Sequence, residues 1–95
     1  MKYYVKKSGI HGKGLFAARN VKAGEVLGSI KYNPVDEDGP YVLWLGEQGI
    51  KVDCELKFIN HSKKPNACYC DDLDVVALKN IKKGEEITHD YGDDW

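Results

Sequence analysis

The fold is decided by nine residues near the middle of the chain, Phe58-Ile59-Asn60-His61-Ser62-Lys63-Lys64-Pro65-Asn66. The apolar residues Phe58 and Ile59 are followed here by several polar side chains, including asparagine, histidine and serine. Polar side chains are costly to bury unless each has a hydrogen-bond partner. One interpretation is a capped helix end followed by a proline turn, in which His61 is an ordinary structural histidine. The other interpretation is a functional site built from these polar groups.

A second unusual segment lies near the N-terminus, where two glycines flank one residue in Gly12-Lys13-Gly14. Glycine lets a backbone come close to a ligand and present its N–H and C=O groups. The segment lacks the third glycine and following helix of a dinucleotide-binding fingerprint, and it lacks the Gly-Lys-Ser/Thr of a phosphate-binding loop. Taken alone, it is equally consistent with a plain turn.

The third segment closes the chain with Gly84-Glu85-Glu86-Ile87-Thr88-His89-Asp90-Tyr91-Gly92. Its simplest interpretation is a final strand in which Tyr91 packs on the core. Residues 77–87 also match residues 17–27 position by position, with a Lys-x-Gly-Glu turn in both copies. Glycine supplies the positive φ that such a tight turn needs. Two copies are too few for a solenoid, and they predict two similar corners of one compact β fold.

Length and composition indicate one folded domain of 95 residues, with 42% hydrophobic and 31% charged residues. No apolar run approaches the ~20 residues that span a bilayer, and we expect no signal peptide, because the first residues contain no apolar h-region. Short apolar runs between ten glycines predict a mostly β domain, with strands at Tyr3–Val5, Leu15–Ala17, Val26–Ile30, Tyr41–Leu45, Ile50–Val52 and Val75–Leu78.

Three stretches between these strands carry other signals. The proline, glycine and aspartate content of Asn33 to Pro40 predicts a loop. Glu47-Gln48-Gly49 is typical of a hairpin turn. Cys54 to Asn60 is the only stretch that favours a turn or two of helix.

The cysteines argue against both disulfides and metal. Cys54, Cys68 and Cys70 are odd in number, so they cannot form a closed disulfide framework. Cys68 and Cys70 are separated by one residue, and no second Cys/His pair lies at zinc spacing. We expect no metal site, and two small residues that share one face of a strand.

The net charge of −1 hides an asymmetry between the two ends of the chain. The first quarter is basic and the last quarter is acidic, with carboxylates at Asp71, Asp72, Asp74, Glu85, Glu86, Asp90, Asp93 and Asp94. An acidic edge that faces a cationic partner is therefore more natural than a nucleic-acid-binding face. Each single charge is equally well explained as solvated surface.

Together and in this order, the three segments resemble those of the SET-domain lysine methyltransferases. The most specific part is Asn60-His61-Ser62 with Pro65-Asn66, followed by the ending, which resembles that of minimal stand-alone SET proteins of viruses and bacteria. The similarity covers almost the whole chain and is weakest between Lys31 and Glu55. It implies a single SET domain over residues 1–95, with short curved β-sheets, a C-terminal pseudoknot and little helix.

The resemblance also implies roles for the motif residues toward S-adenosyl-L-methionine as cofactor. Gly12, Lys13 and Gly14 would line the cofactor site with backbone groups. Asn60 would hydrogen-bond the methionine part of the cofactor, and the backbone of His61 would contact the adenine edge.

Tyr91 takes the position of the active-site tyrosine in this resemblance, and it would place its hydroxyl beside the transferring methyl. His89 and Tyr41 are the expected residues of the substrate channel, and His89 stands where the family often has Phe or Tyr. That position tunes the width of the channel and hence the number of methyl groups added. No metal or general-base histidine is required.

The departures from the family pattern concern what surrounds the site. The family's cysteine after Asn-His-Ser is Lys63, and no cysteine cluster follows Tyr91, so the zinc-bound lid of many relatives has no counterpart here. The terminal Trp95 is expected to cover part of the cofactor instead. The insert that builds one wall of the peptide groove is reduced to a few residues between Val52 and Phe58.

Two classes of function follow from the sequence. The first is an S-adenosylmethionine-dependent protein-lysine N-methyltransferase that acts on a lysine in a basic segment, such as a histone-like tail. The second is a weak or inactive SET module that binds cofactor or peptide. We expect an intracellular, cytoplasmic protein (nuclear if it acts in a host cell) and a homodimer, with no membrane or direct nucleic-acid partner.

Overall fold

A computed structural model describes residues 2–10, 12–45, 47–70 and 73–92 of the chain. These residues form strands β1 Tyr3–Lys7, β2 Lys13–Ala17, β3 Val26–Ser29, β4 Tyr32–Val35, β5 Val42–Leu45, β6 Gln48–Val52, β7 Asn60–His61, β8 Ala67–Tyr69, β9 Asp74–Ala77 and β10 Glu86–His89, and one 3₁₀ helix, Glu55–Phe58. All six strands predicted from the sequence are present, and the fold is mostly β as expected. Within the described part of the chain, no helix is long and apolar enough to span a membrane.

The largest sheet brings the three unusual segments together, in the strand order β1-β2-β10-β7. Strand β2, which begins at Lys13, pairs antiparallel with β10, so that Leu15 lies opposite Ile87. Strand β7 pairs parallel with β10, with Thr88 opposite Asn60. The Asn-His-Ser segment therefore lies beside the closing segment.

Two three-stranded sheets complete the fold, β3-β9-β8 and β4-β6-β5. The predicted loop from Asn33 is wrong in its first part, because residues 32–35 form β4. Proline has no N–H to donate to a ladder, but Pro34 lies on an edge strand, where it is tolerated. The predicted turn also ends too late, because Gln48 and Gly49 already belong to β6, with Gln48 opposite Leu45.

The two shortest strands, β7 and β8, were not predicted. They contain two and three residues, which is too short for any periodicity in the sequence. The predicted helical turn is present as the 3₁₀ helix, which buries Leu56. It lies directly before β7 and thereby fixes where Asn60 enters the sheet.

One hydrophobic core joins the sheets. The largest fully buried side chains come from the large sheet, from β9, from the 3₁₀ helix and from the two corners, namely Leu15, Ile87, Val75, Leu56, Val21 and Ile81. Leu15, Phe16 and Ala17 are all buried, because β2 is an inner strand that is covered on both faces. Leu15 and Ile87, the two fully buried partners on β2 and β10, anchor the strand that leads to Tyr91.

The two repeated corners pair with each other. Val21 and Ile81 exchange both of their backbone hydrogen bonds at 2.8 Å. The side chain of Asn80 accepts a hydrogen bond from the N–H of Ala23, and in the same way Asn20 accepts one from Lys83, both at 2.9 Å. The turn glycines of both corners have positive φ, 86° and 90°. The sequence predicted two similar corners, and the structure shows that each corner supplies hydrogen-bond partners to the other.

Candidate active site

A cavity of about 510 Å³ lies where the three segments meet. Its walls come from the glycine loop, the start of β5, the end of β6, the 3₁₀ helix, β7, β8 and the closing segment. Gly12, Lys13, Tyr41, Asn60 and Tyr91 all line it, so that five residues selected from the sequence converge on one site. The volume lies within the range of about 300–1,000 Å³ that is typical of small-molecule sites.

Two phenol groups face each other in this cavity. The hydroxyl of Tyr91 donates to the carbonyl oxygen of Ile59 at 2.7 Å, and the hydroxyl of Tyr69 donates to that of Leu56, also at 2.7 Å. The two hydroxyl oxygens are 3.4 Å apart. Backbone carbonyls at the 3₁₀ helix and directly after it thus hold both hydroxyl groups in place. Tyr69 was missed by the sequence analysis, since it lies between two cysteines in a strand too short to be predicted.

Both phenols are held in the neutral form. Burial raises the pKa of Tyr91 to about 12, although the hydrogen bond with Tyr69 opposes the shift. Burial also raises the pKa of Tyr69, and the nearby Tyr91 adds to this effect. The cavity therefore presents two uncharged hydroxyl groups at neutral pH.

His89 lies behind the two phenols and is not among the residues that line the cavity. Its ring meets the rings of Tyr91 and Tyr69 edge-on, with centroid distances of 4.6 and 4.9 Å. Its Nδ1 accepts a hydrogen bond from the N–H of Tyr69 at 3.4 Å. His89, which was predicted to lie in the substrate channel, thus packs behind Tyr69 and Tyr91 and supports the two rings.

Burial lowers the pKa of His89, although a hydrogen bond with the backbone of Ala67 and the charge of Asp90 oppose the shift. In the unfolded chain the imidazole titrates at its usual value of 6.5. As the pH falls below that value, the unfolded chain therefore binds more protons than the folded one, and the free energy of unfolding decreases. The contribution of the buried, neutral His89 to the free energy of unfolding is therefore fully present above pH 6.5 and is lost as the pH falls below it.

We expect denaturant titrations between pH 7.5 and pH 5 to show this loss of stability in the parent protein. His89→Phe keeps an aromatic ring against both tyrosines but cannot be protonated, so its stability should depend less on pH. The charge of Asp90 contributes at lower pH, since the pKa of that carboxyl is lowered from 3.8 by a hydrogen bond from the backbone of Gly92. Equal pH slopes for parent and variant would contradict the role assigned to His89.

Asn60 joins all three segments through its side-chain amide. Its Nδ2 donates to the carboxylate of Glu86 at 2.8 Å and to the backbone carbonyl of Lys13 at 3.2 Å. The residue is half-buried at the start of the parallel β7–β10 pairing and lines the cavity. The Asn60 amide, which was expected to contact a ligand, is thus held by one hydrogen bond to the glycine loop and another to β10.

His61 supports the backbone of Tyr91. Its Nδ1 accepts a hydrogen bond from the N–H of Tyr91 at 3.1 Å. The same nitrogen lies 3.8 Å from the carboxylate of Asp90. The side chain of His61 is thus bonded within the fold, and it fixes the residue expected to be catalytic.

The two glycines of the first segment serve different purposes. Gly12 has φ 45°, which a residue with a side chain rarely adopts. Gly14 is buried, and a Cβ atom there would overlap the carboxylate of Glu86. Gly12 and Lys13 line the cavity, whereas Gly14 lets β10 approach from behind them.

Tyr41 contributes one side of the cavity mouth. Its φ is 63°, and its ring lies 6.1 Å from the ring of Phe58 in an edge-on arrangement. The Nζ of Lys57 is 5.2 and 5.3 Å from these two ring centroids, and the Nζ of Lys13 is 5.9 Å from that of Phe58. Two cations and two aromatic rings therefore flank the opening, and neither Lys57 nor Phe58 was selected from the sequence.

Three other predictions concern residues at the margins of the site. Trp95 lies outside the described residues. Within residues 2–10, 12–45, 47–70 and 73–92, no three His, Cys, Asp or Glu side chains lie close enough together to hold a metal ion. Cys68 and Cys70 share one face as predicted, with their sulfur atoms 3.5 Å apart, and neither they nor Cys54 form a disulfide within the described part of the chain.

Asn66 connects the Asn-His-Ser segment to the closing strand. Its side chain is buried, with Nδ2 donating to the carbonyl of Glu86 at 2.8 Å and Oδ1 accepting from the N–H of Thr88 at 2.9 Å. Its own carbonyl accepts from the N–H of Leu78 at 2.8 Å. The last residue of the quoted stretch therefore sets the position of β10, which leads to His89 and Tyr91.

Comparisons with known proteins agree with this arrangement. Residues 12–92 match the family model of the SET domain. The chain is 33% identical to human histone-lysine N-methyltransferase 2B and 31% identical to the Drosophila virilis histone-lysine N-methyltransferase trithorax, in each case over 92% of its own length. It spans only 4% and 3% of those two proteins.

A solved structure, that of a candidate histone methyltransferase from Plasmodium falciparum, superposes with a TM-score of 0.81 at 25% identity. The superposition covers 99% of this chain and 96% of the other.

Proposed function

Since this chain belongs to the SET-domain family, we propose that it is a protein-lysine N-methyltransferase that uses S-adenosylmethionine. The observation that carries the proposal is the single cavity in which Asn60, the glycine loop and the Tyr91 hydroxyl meet. A module that only bound a peptide would not need the Tyr91 phenol at the cavity where Asn60 and the glycine loop meet. We therefore favour an enzyme over an inactive binding module.

The residues of the cavity suit a ligand that is part apolar and part zwitterion. Leu43, Val52 and Phe58 supply apolar walls, and Lys13 and Lys57 place two cations at the mouth, where a carboxylate would be neutralised. The backbone of Gly12 and Lys13, the side chain of Asn60 and the backbone of His61 are the groups that we propose to hold the cofactor.

When bound, the cofactor supplies a methyl group on a positively charged sulfur. The protein's task is to align a neutral lysine amine with that methyl group and to keep water out. Apolar walls such as Val52 and Ile59 disfavour an ammonium ion, so they would lower the pKa of the incoming lysine from its usual ~10.4. The Tyr91 and Tyr69 hydroxyl oxygens, neutral at working pH, would orient the amine.

The proposed substrate is a protein with a lysine in a basic segment. Two observations support it: the similar human and Drosophila proteins are named histone-lysine methyltransferases, and the chain's last quarter is acidic. The number of methyl groups added would depend on His89, because it supports the two phenols. The homodimer, the extent of the domain and the cellular location stay predictions.

Calorimetry tests the first step of this function. We expect S-adenosylmethionine and its demethylated product to bind the protein, and Asn60→Ala to weaken binding about tenfold or more, as for loss of a hydrogen bond to a charged group. Asn80→Ala is the matched control, because its exposed side chain bonds Ala23 in a corner whose residues do not line the cavity. Absence of binding heat at millimolar ligand would contradict the enzymatic proposal.

A further inference from the structure

Glu86 occupies a position that the cofactor site described above does not explain. Its carboxylate, half-buried on β10, accepts from the hydroxyl of Ser8 at 2.7 and 2.8 Å and from the amide of Asn60 at 2.8 Å. Gly14 has no side chain where this carboxylate passes. Ser8, Gly14, Asn60 and Glu86 are called the Glu86 cluster below.

The first effect of the carboxylate is on the orientation of the Asn60 amide. An ionised carboxylate accepts hydrogen bonds and donates none, and the same is true of the Lys13 carbonyl. Both accept from Nδ2 of Asn60, so the NH₂ group must point to them and the amide oxygen must point the other way. Glu86 therefore fixes the orientation of the Asn60 amide.

The second effect is on the loop that precedes Gly12. The hydroxyl of Ser8 donates to Glu86 and accepts from the N–H of Ile10 at 2.9 Å, while the N–H of Ser8 donates to the carbonyl of Gly12 at 2.7 Å. This arrangement ties the turn before the glycine segment to β10. One carboxylate thus holds two walls of the cavity, the glycine loop and Asn60.

We propose that Glu86 is a positioning residue for cofactor binding, which acts through Asn60 without contacting the cofactor. Together with the Lys13 carbonyl, it fixes the orientation of the Asn60 amide, a side chain that lines the cavity. This inference rests on the proposed function and goes beyond it, because Glu86 is not among the residues that line the cavity.

The test is a double-mutant cycle measured by calorimetry with S-adenosylhomocysteine, which does not react. Glu86→Ala should weaken binding about tenfold in the parent and by less than about twofold in Asn60→Ala, because the amide that Glu86 orients is then already absent. Glu86→Gln should weaken it less than Glu86→Ala does, since its amide oxygen can still accept from Asn60. Glu85→Ala is the control, because it removes the neighbouring exposed carboxylate.

The outcomes separate the two proposals. Binding by the parent together with unchanged affinity in Glu86→Ala would overturn the positioning role and leave the proposed function standing. Equal losses in the parent and in Asn60→Ala would show that Glu86 acts as general scaffold, which also overturns the role. If the parent does not bind, both proposals fall. If Glu86→Ala does not fold, the same cycle is measured with Glu86→Gln. We then expect the affinity to fall about threefold in the parent and to stay unchanged in Asn60→Ala, and equal losses would overturn the role.

Discussion

Tyr91→Phe is expected to slow methyl transfer by on the order of 10²-fold or more, because it deletes the hydroxyl proposed to orient the amine and stabilise the transition state. The ring would stay in its cluster with His89 and Tyr69, and cofactor affinity should largely remain. Single-turnover rates with labelled S-adenosylmethionine and a basic protein substrate would measure the effect.

The same substitution should also have a small structural cost. The hydroxyl of Tyr91 is bonded to the carbonyl of Ile59, so its loss leaves that acceptor without this donor and should destabilise the protein by about 1 kcal/mol. Tyr3→Phe is the control, since it deletes a phenol oxygen from a partly buried tyrosine that does not line the cavity. A Tyr91→Phe protein that methylates as fast as the parent would reduce Tyr91 to a core residue.

Asn66→Ala should produce the largest loss of stability among these variants, about 2–5 kcal/mol. It leaves the N–H of Thr88 and the carbonyl of Glu86 without their partner, and each unsatisfied buried group costs about 1–3 kcal/mol. Because small domains are stable by only about 5–15 kcal/mol, a large part of the total would be lost. Chemical denaturation monitored by the fluorescence of Trp44 and Trp95 would give the value.

Asn20→Ala is the matched control for this measurement. Asn20 is exposed, and its side chain accepts one hydrogen bond from the N–H of Lys83 at a corner, so its loss should cost only about 0.5–1.5 kcal/mol. If Asn66→Ala were no more destabilising than Asn20→Ala, the pairing between β7 and β10 would not depend on the Asn66 amide.

The sequence predicted the strands that are long or strongly apolar, and it predicted which motifs meet. Strand β2 was recognisable because Leu15-Phe16-Ala17 is an uninterrupted apolar run, and the two corners because glycine marks each turn. The resemblance implied a pseudoknot that brings distant segments together, and the parallel pairing of β7 with β10 places Asn60 beside Thr88.

What the sequence did not reveal depends on contacts between distant residues. Glu86 has the same local pattern as any strand residue, and only the approach of Ser8 and Asn60 shows that it has a specific place. Tyr69 is hidden in the same way, because its neighbours in the chain are cysteines. Pro34 predicted a loop by its type, yet the free edge of a three-stranded sheet accommodates it.

The reciprocal corners also determine the order in which the molecule can form. Val21 and Ile81 are sixty positions apart, and each closes the backbone bonds of the other, so neither corner is complete until the intervening chain has looped back. Closing such a loop costs entropy before any contact is gained, and non-local β pairing of this kind is slow to fold. During synthesis, the N-terminal corner must wait for the C-terminal one. The cavity in turn cannot be complete until Tyr91, which lines it, has been synthesised.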